Sequence, residues 1–382
     1  MKVTVCKYLN IRSGNPSVNT PIVGYLSPND TIEISSALIG QTIDGNSIWY
    51  MGADRNYYWS GGILEWNFVL NDNKFETLSM SDRQKIIFEY ISFYAEHWIL
   101  NHKSTGMGCG LTFAEGTLIG YHINIQFENE LTKQTHSTDV ISYKGFLIPA
   151  VTEIVNIAKA SSTPLPDYSV SAQGDHYQGT VGFVAEDGNT GKSYLITNYH
   201  VLCKNFLTEN PPRYTVSFPS NLSSYKINQP AYGMPNNRIV GYIQKGALDY
   251  YSDSVCVLLT QSINQFSYMD YVPYAQLAID IEAGNNIVTV FGAISGIQTT
   301  TIVGLNNTQP INYYNGFIIH TIHHLIRLNK ATREGDSGSV VLNHDQKIIG
   351  LIVANDNTYS YVVLIENILS QFNPIKLFNY EF

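Results

Sequence analysis

Cysteine is scarce in this chain. Only Cys6, Cys109, Cys203 and Cys256 occur among 382 residues. Their scatter excludes a disulfide scaffold, and no Cys-x-x-Cys pair offers the commonest zinc spacing, so no metal or other cofactor is expected. Charge is thin as well. Charged residues make up 14% and the net charge is −9, which argues against a nucleic-acid partner held through phosphates, and no block of Lys and Arg provides a local exception. No run of roughly 18 apolar residues occurs, so no membrane span is expected. The stretch Met1–Lys7 lacks the apolar core of a secretory signal. The expectation is a cytoplasmic protein, with export by a route the sequence does not show left open.

What is present is apolar and aromatic. Hydrophobic residues reach 44% and tyrosines number 27, a composition that suits a globular, β-rich protein because aromatic side chains pack well on pleated surfaces. The length allows two or three domains. Residues 1–70 carry short alternating runs, Thr4-Val5-Cys6, Ile22–Leu26, Thr31–Ile34 and Ile48–Met51, separated by turn signals, and predict a small barrel. Residues 75–160 predict an α+β accessory domain. Ser81-Asp82-Arg83-Gln84 fits a capping box, and Ile87, Ile91, Ala95 and Trp98 or Ile99 form one helical face through to about Lys103. Gly106 and Gly108 are expected to end that helix. Strand-like runs follow at Tyr121–Phe127, Phe146–Ile148 and Val151–Val155. The Ser/Thr/Pro-rich stretch predicts a linker over 161–173. Residues 174–382 are nearly all short β runs, with one candidate helix at Leu364–Phe372, and suit a double β-barrel. The fold class expected is therefore mainly β.

One string names a chemistry. Gly335-Asp336-Ser337-Gly338-Ser339 places a serine between glycines, immediately before the apolar run Val340-Val341-Leu342. A serine hydroxyl is a poor nucleophile unaided and needs a base, a group that orients the base, and donors for the oxyanion. Among ten histidines, only His200 follows an apolar strand, Tyr194-Leu195-Ile196-Thr197, and precedes Val201-Leu202. His323 and His324 lie in a β run whose alternation gives one to each face, and read as wall or surface residues. A carboxylate just before an apolar strand is found at Asp253, ahead of Val255-Cys256-Val257-Leu258-Leu259. Asp249, its rival, has no apolar run directly after it. Ser337 would attack a carbonyl, His200 would take and return its proton, Asp253 would hold the imidazole, and the backbone N–H groups of Gly335 and Ser337 would form the oxyanion hole. Cys203 and Cys256 each lie three residues beyond a triad candidate; they are expected to be free, partly buried thiols.

These frames resemble trypsin-like serine peptidases of bacterial type. The order His, Asp, Ser belongs to that family and differs from the order in α/β-hydrolases or subtilisins. Val288–Gly296 is similar to a strand and turn of the family's second barrel. Lys347–Ala354 resembles the hairpin after the nucleophile, and the resemblance implies that Ile352, Val353 and Ala354 pair with the substrate backbone. Two departures stand out: Val340 where many members have Pro, and Val201 where a Cys commonly follows the histidine. Position 331, six before the nucleophile, is Ala, so a preference for Lys or Arg side chains is not supported. The first 70 residues resemble bacterial SH3-like domains through Leu9–Asn15, Ile22–Leu26, Trp49-Tyr50, Tyr57-Tyr58-Trp59 and Gly61-Gly62. That likeness implies either a binding module, in other proteins often for cell-wall peptides, or a packing domain. The function expected is a serine endopeptidase acting on a protein or peptide substrate. Its N-terminal domains would target or restrain it, with a regulatory protein partner or a cell-wall ligand, within a bacterial defence or toxin system. The alternative is a binding or scaffold protein with a silent peptidase fold.

Overall fold

Alternating apolar residues dictate strands here, and the protein is mainly β. The structure is a computed structural model that describes residues 1–64, 68–70, 74–159, 168–175, 177–207, 214–217, 225–262, 269–272, 274–313, 318–372 and 377–379. The chain divides into two compact units, 1–113 with 119–153, and 114–118 with 154–382.

The first unit opens with strands β1 (Lys2–Thr4), β2 (Leu9–Arg12), β3 (Ile22–Leu26), β4 (Thr31–Ile43), β5 (Asn46–Gly52) and β6 (Tyr57–Trp59). They form a small barrel-like sheet in the order β1-β4-β5-β6-β2-β3. Strand β4 runs nine residues past the apolar stretch that predicts it. Pairing rather than burial holds the extra length: Leu38 lies opposite Trp49 and Ile39 opposite Ile48, and the Trp49 indole N–H donates to the Gln41 carbonyl at 2.9 Å.

Helix α1 (Met80–His102) differs from expectation at both ends. Its cap is Ser79, whose hydroxyl accepts from the Asp82 N–H, rather than Ser81. It stops at Lys103, which takes a left-handed conformation (φ 54°). Gly106 and Gly108 do not end it; they lie inside β7 (Ser104–Ala114). The face Ile87, Ile91 and Ala95 is buried. Then come β8 (Thr117–Phe127), α2 (Glu130–His136), β9 (Val140–Tyr143) and β10 (Phe146–Ile154). This unit takes in residues of both segments, 1–70 and 75–160, apart from 114–118 and 154–160. Polar contacts cross between them: Ser142 Oγ donates to the Phe68 carbonyl at 3.2 Å, and the Leu70 N–H donates to the Gly145 carbonyl at 3.4 Å. Within 75–160, Lys144 in the β9–β10 turn forms a buried ion pair with Glu89 of α1.

The second unit holds two curled sheets. One contains β12 (Ser169–Ala172), β13 (Gly179–Thr180), β14 (Phe183–Asp187), β15 (Ser193–Thr197), β16 (Tyr214–Ser217), β17 (Lys226–Gln229), β18 (Arg238–Leu248) and β19 (Asp253–Leu259). Its order is β13-β12-β17-β18-β19-β15-β14, with β16 beside β18. Strand β12 lies inside the stretch expected as linker, and 160–167 lie outside the described residues. The other sheet follows β20 (Met269–Tyr271) and α4 (Tyr274–Glu282) and uses β21 (Ile287–Gly292), β22 (Gly296–Tyr313), β23 (Ile318–Asn329), β24 (Val340–Leu342), β25 (Lys347–Asn355) and β26 (Tyr359–Leu364). The order β21-β24-β25-β26-β23-β22 returns from β22 to β21, which closes the ring and leaves it no edge. Helix α5 (Ile365–Gln371) follows, and Leu377–Asn379 adds a strand beside β14. Before all of these, the short strand Ala158–Lys159 pairs with both β22 and β25. One buried apolar cluster, including Phe183, Leu195, Val257, Val340, Leu351 and Val363, runs through both sheets. Among the described residues no helix is long and apolar enough to cross a membrane.

Candidate active site

Strand register brings His200 to Asp253. In the antiparallel pair β15–β19, Thr197 lies opposite Val255. His200 follows β15 in the short helix α3 (Tyr199–Leu202), while Asp253 opens β19, so the two side chains share one end of adjacent strands. His200 Nδ1 is 2.5 Å from Asp253 Oδ2, and the His200 backbone N–H donates to Oδ1 at 3.1 Å. A carboxylate can only accept, so the proton sits on Nδ1 and leaves Nε2 as the imidazole's free acceptor. Both residues are buried, and among the described residues Nε2 has no hydrogen-bond partner. Asn198 Nδ2 donates to the Asp253 carbonyl at 2.8 Å, which pins the start of β19.

Tyr313, at the end of β22, was not indicated by the sequence. Its hydroxyl donates to Asp253 Oδ2 at 3.0 Å, and its ring centroid lies 5.3 Å from that of His200. Burial first, and the Asp253 charge second, push its phenol well above the ordinary tyrosine range, so it remains a donor at any working pH. Tyr313 lies 60 residues from Asp253 in the chain, and no short motif joins them. Asp249 does different work. It caps the turn before β19 by accepting from the Tyr251 and Ser252 N–H groups at 2.9 and 3.0 Å.

Ser337 sits in the loop before β24. Gly335 and Gly338 have φ of 97° and 93°, which only glycine adopts without strain. At Gly338 a Cβ would also lie 2.2 Å from Thr197 Oγ1 and 2.4 Å from the Thr180 carbonyl. Thr180 of the other sheet clamps the loop. Its N–H donates to the Ser337 carbonyl at 2.8 Å and its hydroxyl to the Gly335 carbonyl at 3.0 Å. These two contacts fix the peptide planes before Asp336 and after Ser337. The buried Asp336 carboxylate accepts from the Ile294, Ser295 and Arg333 N–H groups at 2.9, 3.2 and 2.9 Å, and from the Ser295 hydroxyl at 2.5 Å. Four local donors thus shape the loop, with no cation among them.

The elements that carry His200 and Ser337 meet at Gly179. A Cβ there would come within 2.5 Å of Val201 and 2.8 Å of the Ser337 carbonyl. Val201 therefore faces a glycine, and none of the four cysteines is in a disulfide. Cys203 and Cys256 are fully buried. Burial raises both thiols, Cys256 to about 12, so neither is a reactive thiolate near neutral pH.

Ile352, Val353 and Ala354 lie on β25 and are buried. The Gly338 N–H donates to the Ile352 carbonyl, and the Ile352 N–H donates to the Ser339 carbonyl, both at 2.9 Å, so β25 runs directly beside the Ser337 loop. Behind the loop, the Thr332 and Ser360 hydroxyls are 2.8 Å apart and buried, and the Ala331 N–H donates to Ser360. Arg333 is exposed. His324 has φ 59°, which breaks the strand alternation expected of it, and His323 Nδ1 lies 3.0 Å from Thr308 Oγ1.

No family model matches the sequence, and no curated protein matches it. Solved structures similar to the chain are trypsin-like serine proteases. A Nocardiopsis protease is 14% identical, covers 59% of this chain and 98% of its own, and gives a TM-score of 0.33. A Cellulomonas bogoriensis chymotrypsin is 15% identical over 57% of this chain and 98% of its own, with a TM-score of 0.35. A glutamic acid-specific serine protease, described as using a histidine triad in substrate binding, is 15% identical over 56% of this chain and 97% of its own, also at 0.35.

Proposed function

We propose that this protein is a serine endopeptidase of trypsin-like type. The observation that carries the reading is the buried His200–Asp253 pair at 2.5 Å, with Nε2 unpartnered, in the same unit as a serine on a glycine-flanked loop. In this reading Nε2 takes the Ser337 proton as Oγ attacks a peptide carbonyl. Asp253, held by Tyr313, stabilises the imidazolium that forms, and the imidazolium then protonates the leaving amine. Backbone N–H groups at Gly335 and Ser337 receive the oxyanion; each such donor is worth about 3 kcal/mol. Water repeats the sequence on the acyl-enzyme. The partner is an extended peptide lying along Ile352–Ala354. Restraint or targeting by the N-terminal unit belongs to the same proposal.

The test is labelling with a fluorophosphonate, followed by hydrolysis of a peptide library. Labelling is expected to vanish in Ser337→Ala, with hydrolysis falling by a factor on the order of 10⁶. Well-folded protein that takes no label and cleaves no peptide would sink the proposal and favour a silent scaffold.

A further inference from the structure

Strand β25 has two edges. Strand β26 occupies one of them from Gly350 to Asn355. On the other, β24 pairs with Ile348, Gly350 and Leu351, and the nucleophile loop bonds to Ile352 through Gly338 and Ser339. Three residues further, Asn355 pairs on this same edge with Lys159, antiparallel. The edge is thus continuous from the nucleophile loop to the short strand Ala158–Lys159. Only Val353 and Ala354 lie between, about 7 Å of strand at 3.3 Å per residue.

The other side of Ala158–Lys159 pairs in parallel with β22, Ala158 opposite Ile311 and Lys159 opposite Asn312. The next residue is Tyr313, the donor to Asp253. Ala158 is fully buried in the cluster that contains Ile311, Tyr313, Val353 and Ala354. The short strand therefore lies between the segment that holds the triad aspartate and the segment that flanks the serine. It runs antiparallel to β25, with Lys159 opposite Asn355.

An extended peptide that reaches Ser337 from this side must add to the β25 edge, since the other edge is taken; strand addition of this kind supplies backbone bonds. We infer that Ala158–Lys159 is a built-in competitor for that edge. A protein or peptide substrate binds fully only when this segment of the same chain leaves. The inference rests on the serine-peptidase reading and names the residues that restrain it. A segment docked nine-tenths of the time weakens apparent substrate binding about tenfold.

A disulfide lock tests it. Cα atoms of antiparallel partners lie about 4.5–5.5 Å apart, within disulfide range, so the pair Lys159→Cys and Asn355→Cys should oxidise readily. Peptide hydrolysis by the oxidised protein is expected to fall at least about tenfold below the reduced form. Fluorophosphonate labelling, which needs little of the edge, should stay within about threefold. The release variant Lys159→Pro, which removes a ladder N–H, should raise kcat/KM for long peptides and leave labelling unchanged. A bond confirmed by mass with equal hydrolysis in both redox forms overturns the inference, and so does failure of the bond to form. If Lys159→Pro does not fold, the lock alone decides. Absence of labelling in the parent protein instead defeats the serine-peptidase reading itself.

Discussion

Replacing Tyr313 by Phe removes one oxygen from the interior and tests how Asp253 is held. In the intact protein Asp253 Oδ2 accepts from the imidazole at 2.5 Å and from the phenol at 3.0 Å. A hydrogen bond to a charged group is worth about 1.5–3 kcal/mol, and about 1.4 kcal/mol is tenfold in rate. If the whole contribution acts in the transition state, kcat/KM falls by roughly ten- to a hundredfold. The carboxylate is charged in the ground state too, so the lower end of that range is expected, near tenfold and mainly in kcat. Relieved of one donor, Oδ2 offers more negative charge to the ring, so the acid limb of the kcat/KM profile moves to higher pH. Folding stability should fall by about 1–2 kcal/mol. The assay is hydrolysis of a chromogenic peptide across pH, normalised to fluorophosphonate-titrated sites, with thermal unfolding alongside. A lower Tm with an unchanged rate and an unmoved acid limb would refute the positioning role and leave Tyr313 a packing residue.

Other expectations can be checked with the same reagents. Asp253→Asn should keep the geometry but favour the wrong imidazole tautomer, lowering kcat by about 10⁴ while the protein remains folded; a loss under tenfold contradicts the role given to Asp253. Gly338→Ala forces a Cβ within 2.2 Å of Thr197 Oγ1 at φ 93°, and unfolding measurements should show a loss of about 2–4 kcal/mol. Tyr199 and Tyr313 both have phenols raised by burial. A raised folded value means that the stability is complete below pH ~10, where the unfolded phenols titrate, and is lost as pH rises above it. Denaturant titrations should show stability of the second unit dropping by about 1.4 kcal/mol per pH unit for each of these tyrosines. A flat profile above pH 10 would show that they ionise freely.

Local readings from the sequence held where a neighbouring residue decided the conformation. Strand β3 was legible as Ile22–Leu26, and helix α5 differs from its expected range by one residue at each end. Other readings slipped. The capping serine of α1 is Ser79 because its hydroxyl, not that of Ser81, reaches the Asp82 N–H. The two glycines expected to stop the helix instead lie within β7. The N-terminal stretch read as two segments, 1–70 and 75–160, and only the structure shows the Leu70 N–H donating to the Gly145 carbonyl at 3.4 Å across that boundary.

The same division runs through the site. By itself the sequence determined three candidates, His200, Asp253 and Ser337, because each carries its own frame: an apolar strand before or after it, or glycines on either side. Only the tertiary structure decided which groups surround them. Tyr313 on Asp253, Thr180 on the Ser337 loop and Lys159 on the β25 edge come from segments 60, 157 and 196 residues away. The physical reason is that strand register is set by side-chain packing over the whole sheet. A contact made through register leaves no mark on the residues next to it in the chain.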